Sequence, residues 1–141
     1  QNLRMSIKKI EERIGNVVSL SAFYATAPWG FSSENSFLNA AVCVETTLLP
    51  LQVLEETQRI ERELGRTEKS VNGLYADRLI DIDLLLYDDR VMDAEGLILP
   101  HPLMTERRFV MEPLSEIAPD VVHPVLHKTM KELFISSFSP Q

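Results

Sequence analysis

Hydrophobic residues recur at three- and four-residue intervals in two long stretches of the chain, the spacing of one helix face. The first face lies within residues 1–14 and comprises Leu3, Ile7, Ile10 and Ile14. The second follows Pro50, a residue that a helix tolerates in its first turn, and comprises Val53, Thr57, Ile60 and Leu64. Because Gly15 and Gly65 follow these faces directly, we expect each helix to end there.

Elsewhere the hydrophobic pattern is shorter and often alternating, which indicates strands. The predicted strands are residues 17–25 and 37–47, with shorter extended pieces at 91–92 and 97–99. Two further helices are predicted at residues 111–117 and 128–135, before a frayed tail at 136–141. Because several predicted strands are joined by hairpin-length connections, we expect an α+β sandwich in which helices pack on a largely antiparallel sheet.

Residues 78–87 form another predicted strand, and it carries two carboxylates. Alternate side chains of a strand share a face, so Asp81 and Asp83 would lie about 6.5 Å apart. Two like charges at this range repel, and Mg²⁺ ions with oxygen ligands would offset that cost. The leucine neighbours favour a half-buried cleft with a metal site, and a solvated, exposed face is the alternative.

Composition and charge narrow the class of protein. A chain of 141 residues with 45% hydrophobic and 25% charged residues is typical of one soluble globular domain. No hydrophobic run is long enough for a membrane span, and no signal-peptide pattern opens the chain. A net charge of −7 argues against a nucleic-acid partner. The single cysteine, Cys43, fits a reducing compartment and is expected to be a small buried residue on a strand.

Several side chains are candidates for ligand contact, each with a structural alternative. Trp29 and Phe31 lie on a polar loop and either close over a ligand or tuck against the protein. Asn39 interrupts an apolar strand, and its amide forms hydrogen bonds either with a flat heterocyclic ligand or with the protein backbone. His101 is fixed between two prolines at a loop corner, and Arg107 either grips phosphate or is exposed for solubility.

The second helix and the segment after it offer further candidates. Gln58 and Glu61 flank the inner face of the helix and point either to solvent or to a cleft. Residues 66–77 are charged and lack periodicity, so they form either a lid over phosphates or a surface loop.

The residues taken together suggest phosphoryl-type transfer. Two carboxylates on one strand, several arginines and a constrained histidine occur in a chain without an evident nucleophile. Such reactions need charge neutralisation and alignment more than covalent help, and two metal ions supply both.

The chain resembles 6-hydroxymethyl-7,8-dihydropterin pyrophosphokinase of the folate pathway over nearly its whole length. The resemblance rests most strongly on the Arg-x-x-Asp-x-Asp segment at 78–83, followed by Pro-His at 100–101 and Arg-Arg-Phe at 107–109. Further matches lie at 23–30, 37–42, 58–66 and 112–119. The resemblance implies transfer of the terminal pyrophosphoryl unit of ATP to the pterin hydroxymethyl group, releasing AMP, with two Mg²⁺.

The resemblance also implies roles for individual residues, with Asp81 and Asp83 as the metal ligands and Arg66, Arg78 and Asp83 as the catalytic group. The pterin would contact Thr26, Pro28, Trp29, Phe37, Asn39, Asp81 and Phe109. The nucleotide would contact Gln58, Glu61, Arg78, Leu97, Ile98, His101 and Arg107. Neither a metal-bound oxygen nor Asp83 is favoured as the proton acceptor.

The resemblance implies a ferredoxin-like α/β/α sandwich with a mainly antiparallel central sheet, formed by residues 1–141 as a single pyrophosphokinase domain. The family begins with a strand and a Gly-Ser-Asn loop that have no counterpart here, so the N-terminal strand is expected to be missing.

A non-catalytic pterin- or nucleotide-binding module and a metal-dependent phosphohydrolase are the alternatives to a pyrophosphokinase. The expected location is the cytoplasm, the expected partners are ATP and the pterin, and the expected state is a monomer or a dimer.

Overall fold

The computed structural model describes residues 2–26, 37–66 and 80–138. Its contacts divide the chain into two compact units: Gln1–Val17 with Val44–Leu84, and Val18–Cys43 with Leu85–Gln141. The described residues form helices and antiparallel strand pairs, which confirms the α+β class.

The first unit is built on two helices that pack against each other, α1 (Asn2–Arg13) and α2 (Pro50–Arg66). Both helices were predicted, although α2 continues through Gly65, which was expected to end it. The inner face of α2 is confirmed because all four of its predicted residues are buried. The Arg13 guanidinium donates two hydrogen bonds of 2.7 Å to the Glu63 carboxylate, and Lys9 donates a third of 3.2 Å. These bonds, those of Arg13 first, lower the pKa of Glu63 to about 2.

Gly15 makes the turn that follows α1, as predicted. A Cβ at this position would collide with the Glu45 carbonyl oxygen and would lie 2.9 Å from the Cα of Thr46. The Thr46 hydroxyl fixes the same junction, because it donates to the Ile14 carbonyl at 2.5 Å and accepts from the Leu48 amide at 3.0 Å. The close approach of two backbones therefore requires glycine.

The two predicted strands at 17–25 and 37–47 are each interrupted. Strands β1 (Asn16–Leu20) and β4 (Val42–Glu45) form one two-stranded sheet, and β2 (Tyr24–Thr26) and β3 (Phe37–Asn39) form another. At the interruption the Ser21 amide donates to the Ala41 carbonyl, and the Ala41 amide donates to the Ser21 hydroxyl oxygen, both at 2.9 Å. A side-chain oxygen therefore replaces a backbone acceptor there.

The second unit contains the antiparallel pair β2–β3 and a hairpin. In the first pair Tyr24 lies opposite Asn39 and Thr26 opposite Phe37. The hairpin joins β5 (Met92–Ala94) to β6 (Leu97–Leu99) through Glu95 and Gly96. Both turn residues have positive φ, the conformation that two-residue hairpin loops favour.

Helices form the core of the second unit. A short 3₁₀ helix (Met104–Glu106) precedes α3 (Arg108–Ile117), and α4 (Met130–Phe138) ends the described chain. The buried core comprises Ala41, Met104, Met111, Leu114, Met130 and Leu133. Helix α4 begins with a capping box, because the Glu132 amide donates to Thr129 Oγ1 and the Thr129 amide donates to Glu132 Oε1. The prediction of a frayed tail is wrong for residues 136–138, which are helical.

The predicted strand at residues 78–87 and the predicted burial of Cys43 also differ from the structure. No strand occurs in the described part of the aspartate segment, residues 80–87, because its backbone groups bond to other partners. The Ile82 amide donates to a side chain of α2, and the Leu85 carbonyl accepts from the His101 amide at 2.9 Å. Cys43 lies on β4 as expected, but its side chain is exposed rather than buried.

Among the helices within the described residues, none combines the length and hydrophobicity needed to cross a bilayer.

Candidate functional site

The aspartate segment presents its two carboxylates to solvent. Asp81 and Asp83 are exposed, whereas Ile80, Ile82 and Leu84 are half-buried. This alternation places both carboxylates on the same side of the chain, as predicted, although the segment has no strand partner. The half-buried setting expected for the carboxylates is wrong, since both residues are exposed.

Glu61 of α2 holds this segment through its backbone. Its Oε2 accepts a hydrogen bond of 2.5 Å from the Ile82 amide, which lies between the two aspartates in the chain. Glu61 is half-buried, whereas Gln58, one turn earlier on α2, is exposed. A hydrogen bond to a charged acceptor is stronger than one between neutral groups, so the α2 carboxylate restrains the segment that carries Asp81 and Asp83.

The donor set of the segment fits magnesium. Within residues 2–26, 37–66 and 80–138, no three His, Cys, Asp or Glu side chains cluster closely enough to hold a metal together. Two exposed carboxylates leave most coordination positions to other oxygen atoms. Mg²⁺ commonly binds in this way, through one or two carboxylates completed by water and substrate phosphates.

In the second unit, one carboxylate fixes the start of the β2–β3 pair. Glu116 of α3 accepts hydrogen bonds from the Ala22 amide at 3.1 and 3.2 Å and from the Tyr24 hydroxyl at 2.6 Å. The hydrogen bond to Glu116 is the main cause that raises the pKa of Tyr24 to about 12. This contact was not predicted from the sequence, although a carboxylate in the last turn of a helix is unfavourable next to the helix dipole, which indicates that it has another role.

Asn39 lies on β3 directly opposite Tyr24 and is half-buried. Asn39 has at least one interaction within the protein.

The β5–β6 hairpin presents one of its two predicted nucleotide-contacting side chains. Ile98 is 45% exposed, but Leu97 is only 4% exposed and faces the core. Leu97 therefore offers a ligand its backbone rather than its side chain. The alternation of a strand explains the difference, since neighbouring side chains point to opposite faces.

His101 is half-buried and held on two sides. Its amide donates to the Leu85 carbonyl at 2.9 Å, and its Nδ1 accepts from the Leu103 amide at 3.3 Å. A neutral ring in this arrangement carries its proton on Nε2, which is then the nitrogen available to donate to a ligand.

Arg107 and Phe109 lie together at the start of α3. The guanidinium carbon of Arg107 is 5.7 Å from the centroid of the Phe109 ring, a cation–π distance. The Phe109 side chain is 42% exposed, so its ring is available for stacking.

Six predicted site residues lie wholly or partly outside the described parts of the chain. Pro28, Trp29 and Arg78 fall in residues 27–36 and 67–79. Thr26, Phe37 and Arg66 have described backbones but not described side chains.

Comparisons with known proteins agree on one family. The sequence model of the 7,8-dihydro-6-hydroxymethylpterin-pyrophosphokinase family matches residues 1–119. The chain is 49% identical over 124 residues to a 2-amino-4-hydroxy-6-hydroxymethyldihydropteridine pyrophosphokinase of Porphyromonas gingivalis, covering 86% of this chain and 83% of that protein. It is 39% identical to the protein of the same name from Aquifex aeolicus, covering 90% of this chain and 77% of the other. A folic acid synthesis protein of Dictyostelium discoideum is 39% identical over 94% of this chain, which spans 20% of that longer protein.

Proposed function

The chain belongs to the 7,8-dihydro-6-hydroxymethylpterin-pyrophosphokinase family, and we propose that it performs the reaction of that family with Asp81 and Asp83 as the metal ligands. The reaction is pyrophosphoryl transfer from ATP to hydroxymethyldihydropterin, a step of folate biosynthesis. The observation that carries the residue assignment is the exposed pair of carboxylates on a segment whose intervening amide is bound by Glu61.

In the proposed reaction the pterin hydroxymethyl oxygen attacks the β-phosphorus of ATP in line with the departing oxygen. A bond forms between that oxygen and the β-phosphorus, and the bond from the β-phosphorus to the oxygen it shares with the α-phosphorus breaks. The products are the pterin diphosphate and AMP, and the hydroxyl proton passes to a base. Two Mg²⁺ ions, when bound at Asp81 and Asp83, would reduce the negative charge that opposes the attack.

The triphosphate is proposed to be neutralised by arginines. Arg66 and Arg78 are the proposed catalytic arginines, and Arg107 is proposed to grip phosphate through its fork of N–H donors. Of these three arginines, Arg107 is the one whose side chain the structure describes, and its guanidinium lies over the Phe109 ring at the start of α3. The other proposed nucleotide contacts are Gln58, Glu61, Arg78, Leu97, Ile98 and His101.

The pterin is proposed to bind at residues associated with β2, β3 and α3. Its ring would stack between Phe37 and Phe109, and Asn39 would read its edge together with the segment from Thr26 to Trp29. Asp81 would lie near its hydroxymethyl group. The partial exposure of Phe109 supports this assignment, because an aromatic ring that solvent reaches beside Arg107 can stack on a flat heterocycle.

We propose in addition that residues 1–141 form one domain with a ferredoxin-like α/β/α sandwich. The match of one family model to residues 1–119 and the antiparallel strand pairs support this arrangement. We also propose that the protein acts as a monomer in the cytoplasm, where the free thiol of Cys43 would stay reduced.

The metal assignment is tested by Asp83→Ala. We expect turnover to fall by about a thousandfold or more, because positioning and charge neutralisation supply most of the catalysis of phosphoryl transfer. The fold should survive, since the Asp83 side chain is exposed. The measurement is AMP formation with ATP, Mg²⁺ and hydroxymethyldihydropterin, with a melting curve for each protein.

Asp93→Ala is the matched control, because Asp93 is an exposed aspartate of β5 that is given no role in the reaction. Near-normal rates in Asp83→Ala would overturn the metal assignment. AMP release by the unmodified protein without any pterin would instead indicate a phosphohydrolase, and binding of both substrates without AMP would indicate a binding module.

A further inference from the structure

Glu116 occupies an unfavourable position on its helix unless it has a partner. It is the second-to-last residue of α3, where the helix dipole presents partial negative charge. The cost is offset by three short contacts, in which the Ala22 amide and the Tyr24 hydroxyl donate to the carboxylate. Both donors belong to the chain that enters β2. Glu116 therefore ties α3 to β2 by a charge-assisted interaction.

The same helix carries the proposed pterin-stacking residue at its other end. Phe109 and Glu116 are seven residues apart, close to two helical turns, so they lie on the same side of α3 and about 10.5 Å apart along its axis. Helix α3 packs against both β2 and β3. On β3, Phe37 and Asn39 are proposed to contact the pterin, and the register places Asn39 opposite Tyr24.

We propose that Glu116 is a positioning residue for the pterin, which fixes the distance between Phe109 on α3 and the β2–β3 pair through its hold on Tyr24 and Ala22. This inference rests on the proposed pterin assignment. Glu116 does not itself touch substrate in this proposal. It acts through Tyr24, whose position sets that of Asn39 across the strand pair.

The test compares the KM for pterin with the KM for ATP. In Glu116→Ala we expect the KM for hydroxymethyldihydropterin to rise about tenfold, because the hydrogen bonds from Ala22 and Tyr24 to a charged group are lost, while the KM for ATP changes less than about twofold. Glu116→Gln should give a smaller rise, because the amide oxygen can still accept one of the hydrogen bonds. Tyr24→Phe should also raise the KM for pterin alone, and it should add nothing in the Glu116→Ala background.

Glu112→Ala is the matched control, because Glu112 is a carboxylate of the same helix whose 3.4 Å contact is with Arg108 rather than with β2. A second readout is spectroscopic. In the near-ultraviolet absorbance of ionised tyrosine, one of the three tyrosines should titrate at lower pH in Glu116→Ala, because the main cause of the raised Tyr24 pKa is removed. Glu112→Ala should leave most of the shift in place.

The outcomes separate this proposal from the broader one. If the unmodified protein forms no AMP with pterin, the proposed function fails first. If the unmodified protein does form AMP, and the KM for pterin is unchanged in both Glu116→Ala and Tyr24→Phe, then the positioning role of Glu116 is wrong. Equal changes in the KM for both substrates would also overturn it, because they indicate general damage. If Glu116→Ala does not fold, Tyr24→Phe, which loses only a hydroxyl, decides the question.

Discussion

At the scale of single residues, the functional chemistry depends on groups that hold others in place. Asp81 and Asp83 are exposed, and what restrains them is the bond from the Ile82 amide to Glu61. Glu116 plays the corresponding part for Tyr24 in the second unit. A carboxylate that accepts backbone amides fixes the path of the chain more firmly than a surface ion pair does.

Glu61 is expected to act mainly through the Ile82 amide. Glu61→Ala should lower kcat/KM by about tenfold, because a charge-assisted hydrogen bond is lost, and Glu61→Gln should keep most of the activity, because its amide oxygen still accepts. Hydrogen exchange of the Ile82 amide, measured without ligands, should be slow in the unmodified protein and in Glu61→Gln and faster in Glu61→Ala.

Glu55→Ala provides the control, since Glu55 is an exposed carboxylate on the same helix with only a 3.9 Å contact to Arg59. Unchanged exchange at Ile82 in Glu61→Ala, together with a higher KM for ATP, would show that Glu61 acts mainly through its proposed contact with the nucleotide.

His123 should make stability depend on pH. The ring is 5% exposed, and its Nδ1 accepts from the Val125 amide at 3.2 Å and the Leu126 amide at 3.0 Å. Burial first, and then the charge of His127, lower the pKa of His123 below its ordinary value of 6.5. The unfolded chain therefore binds a proton more readily, so this stability is complete above about pH 6.5 and is lost as the pH falls through the lowered pKa.

His123→Asn should remove part of this acid sensitivity, because the asparagine oxygen can accept from the same amides without becoming protonated. The measurement is the urea midpoint at about pH 7.5 and pH 5. His127→Asn, at a φ of 61° that asparagine tolerates, should remove only the smaller part of the acid sensitivity, because burial is the larger cause of the lowered His123 pKa. If the urea midpoint falls equally between the two pH values in His123→Asn and in the unmodified protein, His123 is not the cause of the acid sensitivity.

At the scale of elements, the connections between helices and strands depend on particular residues more than the helices themselves do. Helices α1 and α2 follow directly from their hydrophobic spacing, but the turn after α1 depends on Gly15 and the nearby Glu45 carbonyl. The interruption between β1 and β2 depends on Ser21, whose side chain replaces a backbone group opposite Ala41.

The two glycines that end predicted helices should respond oppositely to alanine. Gly15→Ala should destabilise the protein by about 1–3 kcal/mol, because the new Cβ would clash with backbone atoms of Glu45 and Thr46, which cannot move aside without straining the chain. Gly65→Ala should be neutral or stabilising by up to about 1 kcal/mol, because nothing lies within 4 Å of a Cβ there and alanine favours the helix. Urea unfolding of the two variants provides the comparison, and equal effects would contradict it.

At the scale of the whole molecule, sequence patterns predicted the helices better than the strands. All four residues predicted for the inner face of α2 are buried. A helix forms its backbone hydrogen bonds within itself, so the local spacing of hydrophobic residues is enough to predict its buried face. Residues 80–87 looked like a strand, but strand pairing depends on partners that local sequence does not specify, and here the partners are Glu61 and His101. The start of α4 was predicted two residues early, although the Thr129–Glu132 capping signature was present in the sequence.

Family membership and function were predictable because short motifs, above all Arg-x-x-Asp-x-Asp at 78–83, carry the resemblance. The family is confirmed by the match over residues 1–119, while the residue roles stay predictions. The contacts of Glu61 and Glu116 could not be read from the sequence, because each joins residues far apart in the chain, 21 positions for Glu61 and Ile82 and 92 for Glu116 and Tyr24.

The exposed thiol on β4 has a practical consequence. Cys43 is the only cysteine and Trp29 the only tryptophan of the chain. A maleimide dye would therefore attach at one defined position without any engineering, and energy transfer from the indole to that dye would report a single distance. Titrating the dye-labelled protein with ATP and pterin would then follow ligand-dependent rearrangement in solution.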